Sequence, residues 1–104
     1  DIIVTPTCAA MPWSTGIPFP PTIDNKPVGP RGSAIYTGWV NACGLPGISI
    51  PACAARNDAR RSSLPIGVQF IGAFGADELL LRLAAQIESG QDWAASWPEI
   101  AESC

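Results

Sequence analysis

The chain has 104 residues, 47% of them hydrophobic, which fits one small globular domain and excludes a multidomain enzyme. Six basic and nine acidic residues give a formal net charge of −3, so a basic surface for binding nucleic acid is not expected. The apolar runs are too short to cross a bilayer, and no membrane partner is predicted.

The first third of the chain predicts a strand followed by a long loop. The β-branched run of residues 2–5 stops at Pro6, which predicts a short buried strand within residues 1–7. Residues 8–31 contain too many prolines for a continuous helix or a central strand, so they predict a wrapping loop without regular structure. We expect four apolar side chains to anchor this loop on a larger body: Met11, Trp13, Ile17 and Phe19.

Residues 32–44 have the apolar spacing of a helix. Ser33 is placed to cap its start, Gly44 to adopt a left-handed conformation at its end, and Pro46 stands just beyond. Residues 47–72 predict two strands, 47–51 and 66–71, joined by a polar loop as a long hairpin. The single polar side chain of the second strand, Gln69, is expected to satisfy backbone groups.

The last part of the chain predicts a helix and a tail. Residues 76–89 carry one apolar stripe, with Asp77 and Glu78 in the first turn, where negative charge favours the helix dipole. Residues 90–104 form a tail in which Trp93 and Trp97 are expected to pack against the sheet.

The side chains supply no complete active site. There is no His, and the only lysine, Lys26, lies in a polar turn at residues 24–27. Ser62 and Ser63 are adjacent, but they sit in an Arg-rich loop without a glycine cradle for an oxyanion. No phosphate-binding glycine motif or zinc-ligand spacing is present, so we expect no cofactor and no metal.

The four cysteines are interpreted as reduced thiols. Cys8, Cys43, Cys53 and Cys104 have no metal-binding spacing, and the chain does not resemble a small disulfide-rich secreted scaffold. Reduced thiols predict a cytoplasmic protein, whereas two disulfides remain the alternative.

Three stretches in fixed order resemble the C-terminal part of the amidase signature family. They are residues 1–7 (DIIVTPT), 41–51 (NACGLPGISIP) and 64–72 (LPIGVQFIG). Residues 75–81 and the late Trp97-Pro98 are similar to the way those enzymes finish. The resemblance covers nearly the whole chain, and it identifies residues 1–104 as a C-terminal fragment of an amidase domain.

The resemblance implies an α/β fold, here the C-terminal part of a mixed sheet with about three strands, two helices and a long Pro-rich loop. It also implies cleavage of a carboxamide C–N bond through a serine acyl-enzyme. The family's Ser–cis-Ser–Lys triad lies well N-terminal of this part, so no catalytic residue is carried over and these residues alone are predicted to be inactive. Tyr36 and Thr37 would line the substrate pocket, with ordinary helix packing as the alternative.

One departure bears on the substrate. Amidotransferase members resemble Asp-Ile-Tyr/Phe-Thr where this chain has residues 34–37 (AIYT), and Ala34 cannot pair with a substrate ammonium. This favours a general amidase over a fragment of a glutamyl-tRNA amidotransferase A-type subunit. A non-catalytic binding or scaffold module is the remaining alternative.

The start of the chain at Asp1, without Met, leads us to expect a piece of a longer polypeptide. The expected partners are the remainder of the parent amidase chain and a small-molecule amide substrate. Unpaired strand edges would also allow a homo-oligomer.

Overall fold

The computed structural model describes residues 1–55, 64–91 and 93. In chain order its elements are β1 (Ile3–Pro6), β2 (Thr22–Ile23), β3 (Lys26–Pro27), a 3₁₀ turn (Gly32–Ala34), α1 (Gly38–Ala42), β4 (Gly47–Ala55), β5 (Leu64–Ile71) and α2 (Asp77–Ser89). Strand β5 lies between β1 and β4 and is antiparallel to both. The predicted α/β class, with three main strands and two helices, is confirmed.

The two predicted strands of residues 47–72 form the larger strand pair. β4 and β5 pair in antiparallel register from Gly47 opposite Ile71 to Ala55 opposite Leu64, with a bulge between Pro51 and Cys53. Both strands are longer than the apolar pattern predicted, because pairing continues past the last alternating side chains. Residues 56–63, which include Ser62 and Ser63, lie outside the described residues.

The two helices approach opposite faces of this sheet. A Cβ placed on Gly47 would lie 3.3 Å from Cγ1 of Val40, so α1 approaches the face that residue 47 points to. A Cβ on Gly72 would lie 3.5 Å from Cγ of Leu80. Residue 71 is paired with residue 47, so the next residue, 72, points to the face opposite to that of residue 47. We infer that α2 packs on the second face, and the buried apolar residues come from both sides: Val40, Ile50, Ile71, Leu80 and Ala84.

Helix α2 follows the predicted pattern. It begins at Asp77, keeps both acidic residues in its first turn, and ends at Ser89 before Gly90. Leu80 and Ala84 are its buried residues, as expected for one apolar stripe. Trp93 is half-buried, whereas Trp97 and the rest of the predicted aromatic contact lie outside the described residues.

The prediction that β1 is buried is wrong. Ile3 is 52% exposed and Val4 is 58% exposed, although their side chains point to opposite faces of the sheet. The β-branched run predicts an extended strand correctly. Burial is a separate matter, because β1 lies at the edge of the sheet and its exposure depends on what packs beside that edge.

The single predicted helix over residues 32–44 is also wrong. It is divided into the 3₁₀ turn and the short α1, and Ser33 lies inside the turn instead of capping a helix. The Thr37 hydroxyl donates to the Ala34 carbonyl (3.2 Å), and the Thr37 amide donates to the same oxygen (3.2 Å). Such local bonds compete with a continuous helix, and Gly38 lowers helix propensity further.

The end of α1 was predicted correctly. Gly44 has φ +64°, and its amide donates to the Asn41 carbonyl (3.2 Å) while the Leu45 amide donates to the Val40 carbonyl (3.1 Å). These two bonds form a Schellman motif, which uses the left-handed glycine to satisfy the last carbonyls of the helix.

Residues 8–31 are more ordered than predicted. Strands β2 and β3 form a small hairpin whose two turn residues, Asp24 (φ 51°) and Asn25 (φ 58°), have the positive φ angles of a type I′ turn. The four predicted anchors are not buried: Met11, Trp13 and Ile17 are exposed and Phe19 is half-buried. A pattern of prolines excludes long strands but does not exclude a turn of this kind.

Candidate functional site

Four polar side chains share one face of the sheet, and we call them the polar patch: Thr5, Thr7, Ser49 and Gln69. Thr5 and Ser49 each lie opposite Gln69, one from β1 and one from β4. Thr7 follows β1 two residues after Thr5, and its amide donates to the Gly67 carbonyl (3.1 Å), which extends the strand pairing. The patch therefore crosses all three strands on the face that α1 approaches.

Gln69 connects this patch to the segment before α1. Its Nε2 donates to Oγ1 of Thr5 (3.0 Å) and to the backbone oxygen of Tyr36 (2.9 Å). Gln69 is buried, at 6% exposed, so both bonds form largely away from water. The prediction that Gln69 satisfies a backbone group is confirmed.

Gly67 makes room for a contact between the two edge strands. Oγ1 of Thr7 and Oγ of Ser49 lie 2.6 Å apart, across the central strand. A Cβ on Gly67 would lie 2.8 Å from each of these oxygens, closer than carbon and oxygen atoms pack. The absence of a side chain at Gly67 is thus what allows the hydroxyl pair to form.

The two predicted substrate-binding residues lie beside this patch. Tyr36 and Thr37 are both half-buried and connect the 3₁₀ turn to α1. The structure places the backbone of Tyr36 on Gln69, whereas the Thr37 hydroxyl bonds locally to Ala34. The neighbouring Ala34 is exposed.

The described groups are suited to polar recognition and not to proton transfer. The patch offers hydroxyl and carboxamide groups, which donate and accept hydrogen bonds but do not act as bases near neutral pH. Lys26 is exposed in the β2–β3 hairpin. Within residues 1–55, 64–91 and 93, no group of three or more His, Cys, Asp or Glu is placed to hold a metal ion.

Two further observations concern the surface. Cys8 and Cys43 carry free, exposed thiols. Among the helices that the structure describes, none has the length and apolar character needed to cross a membrane.

Sequence reasoning missed Thr5, Thr7 and Ser49. Thr5 and Thr7 alternate on β1 and its extension, and Ser49 lies between two isoleucines on β4, so each strand shows a period-2 signal. What the single strands do not show is the register that brings these hydroxyls to one face.

Comparison with known proteins places these elements in a family. Residues 1–81 match the family model described as Amidase. The chain is 32% identical over 98 residues to the A-type subunit of the glutamyl-tRNA(Gln) amidotransferase of Janthinobacterium sp. (strain Marseille), covering 94% of this chain and 19% of the relative. Relatives of the same description are found in Chromobacterium violaceum (35% identical, 96% of this chain, 19% of the relative) and in Ruthia magnifica (43% identical, 62% of this chain, 12% of the relative). No solved structure matches the chain.

Proposed function

Because the chain belongs to the amidase family, we propose that it forms part of the substrate-pocket wall of an amide hydrolase. In the proposed reaction a serine oxygen attacks the carboxamide carbon, and the C–N bond breaks as the nitrogen leaves with a proton as ammonia or amine. Water then cleaves the acyl-enzyme ester to release the carboxylate and restore the serine. The reactive serine and its base lie outside these 104 residues.

The bond from Gln69 to Tyr36 is the observation that carries this proposal. It joins the central strand to the segment that holds the two proposed substrate-contacting residues, Tyr36 and Thr37. On the same face the hydroxyl groups of Thr7 and Ser49 suit hydrogen bonding to an amide substrate, whereas the Thr5 hydroxyl is held by Gln69. Because the described part of this face contains no base, its role is to position substrate while residues elsewhere break the bond.

The length of the relatives supports this division of roles. The chain spans 19% of the length of the first two relatives, which leaves most of an amidase outside it. We propose that the remainder of the amidase polypeptide and a small-molecule amide are its partners. A cytoplasmic location is also proposed, and the free thiols of Cys8 and Cys43 support it.

Replacing the Tyr36 side chain tests the pocket wall. Tyr36→Ala keeps the backbone oxygen that Gln69 binds, so the segment stays in place while the side chain is lost. In a polypeptide that joins these residues to the family's Ser–Ser–Lys stretch, we expect kcat/KM for aryl amides to fall about tenfold. Steady-state kinetics on a series of amides of different acyl size measures this change.

Ile35→Ala is the matched control, since Ile35 precedes Tyr36 and is 59% exposed. It should leave kcat/KM within about twofold of the wild-type value. Equal losses in both variants, or no loss in Tyr36→Ala, would contradict the assignment of Tyr36 to the pocket wall.

An amidotransferase A-type subunit is the second candidate, because the three relatives compared above carry that description. Ala34 is the residue that disfavours it, as it offers no carboxylate to a glutamine ammonium. The same kinetic assay separates the two candidates: a general amidase prefers simple amides, whereas the amidotransferase component releases ammonia preferentially from L-glutamine. Release of ammonia from neither substrate would favour the third candidate, a binding or scaffold module.

A further inference from the structure

We propose that Gln69 is a positioning residue that sets the place of Tyr36 and Thr37 relative to the sheet. This inference rests on the proposed function, because it concerns the same pocket wall. Gln69 is a polar side chain that is only 6% exposed. Its carboxamide makes two hydrogen bonds, to Thr5 and to the backbone of Tyr36. Loss of the carboxamide would leave both of these acceptors without that partner.

The orientation of the Gln69 side chain follows from its partners. A backbone oxygen accepts hydrogen bonds and cannot donate them, so the nitrogen of the carboxamide has to face Tyr36. The same nitrogen reaches Oγ1 of Thr5. Both of its hydrogens are therefore used, one toward the edge strand β1 and one toward the segment before α1.

The bond to Tyr36 holds a segment whose other described backbone contacts are mostly local. The Thr37 amide donates to Ala34 (3.2 Å) and the Asn41 amide donates to Thr37 (3.2 Å), which shapes the turn but does not fix it on the sheet. One more contact comes from the amide of Ala9, which donates to the Ser33 carbonyl (2.9 Å). Gln69 thus provides the direct bond from the central strand to the residues that contact substrate in our proposal.

Small displacements of a positioning group have large effects on substrate affinity and orientation. Without the Gln69 bond, the segment carrying Tyr36 and Thr37 would shift or fluctuate relative to the sheet. The reacting groups, which lie elsewhere, would stay as they are. The expected signature is a rise in KM with kcat nearly unchanged.

Two variants separate positioning from simple destabilisation. Gln69→Met preserves length but removes both donors, while Thr5→Val removes the other acceptor and leaves the bond to Tyr36 intact. Each variant is made in the polypeptide that joins these residues to the Ser–Ser–Lys stretch. The measurements are KM and kcat for an aryl amide, Tm, and amide hydrogen exchange at Thr37 and Asn41.

We expect Gln69→Met to raise KM about tenfold with kcat within about twofold, and to speed exchange at Thr37 and Asn41. Thr5→Val should lower Tm without changing KM or exchange at those amides. Equal changes of KM in the two variants, or a lower Tm in Gln69→Met with KM and exchange unchanged, would overturn the positioning role. A wild-type polypeptide that hydrolyses no amide would instead overturn the proposed function.

Discussion

Residues 1–104 alone are expected to hydrolyse neither simple amides nor anilides above the rate in buffer. Enzymes accelerate such reactions by about a millionfold or more, so the predicted lack of hydrolysis is the largest difference in rate that we expect. Its physical reason is the lack of an activated nucleophile: the chain has no His, and Lys26 is exposed on a hairpin. Release of p-nitroaniline from an anilide, followed against a buffer control, measures it.

Two substitutions serve as controls for that assay. Ser62→Ala and Lys26→Ala should each give traces indistinguishable from the unmodified chain. Measurable turnover that either substitution abolishes would show that these residues carry a catalytic group after all.

Replacing Gly67 by valine is expected to lower the free energy of unfolding by about 3 kcal/mol. The new side chain would enter the space between Oγ1 of Thr7 and Oγ of Ser49, each 2.8 Å from the position of its Cβ. It would separate the hydroxyl pair and push the two edge strands away from β5. Urea denaturation of the wild-type and variant proteins, followed by Trp fluorescence, gives the difference.

Gly38→Ala is the control for the Gly67 variant. Nothing lies within 4 Å of a Cβ at Gly38, and alanine has the higher helix propensity, so stability should rise by up to about 1 kcal/mol. A Gly67→Val protein as stable as the wild type would show that the space above Gly67 is not required by the fold.

Local signals in the sequence predicted the elements whose structure depends on local chemistry. The Gly44-Leu45-Pro46 run predicted the end of α1, because a left-handed glycine is what a Schellman motif requires. The apolar stripe and acidic first turn of α2 were sufficient to place that helix from Asp77 to Ser89. The order of β4 and β5 followed from two apolar runs joined by a polar loop.

The remaining features depend on contacts between residues far apart in sequence. Thr5 and Gln69 are 64 positions apart, and only the strand register brings them into contact. The exposure of Ile3 and Val4 depends on what lies beside the sheet edge. The division of residues 32–44 reflects local competition by the Thr37 hydroxyl, which helical spacing alone does not reveal.

The most direct test of the proposal that this chain forms part of the pocket wall, and does not carry the reaction itself, is to locate the reactive serine chemically. A serine-directed fluorophosphonate probe is applied to the polypeptide that joins these residues to the Ser–Ser–Lys stretch, and the labelled peptide is sequenced. We predict that the probe modifies a serine within the Ser–Ser–Lys stretch and none within residues 1–104. Activity-dependent labelling of Ser49, Ser62 or Ser63 would contradict the proposal that these residues support a reaction carried out elsewhere.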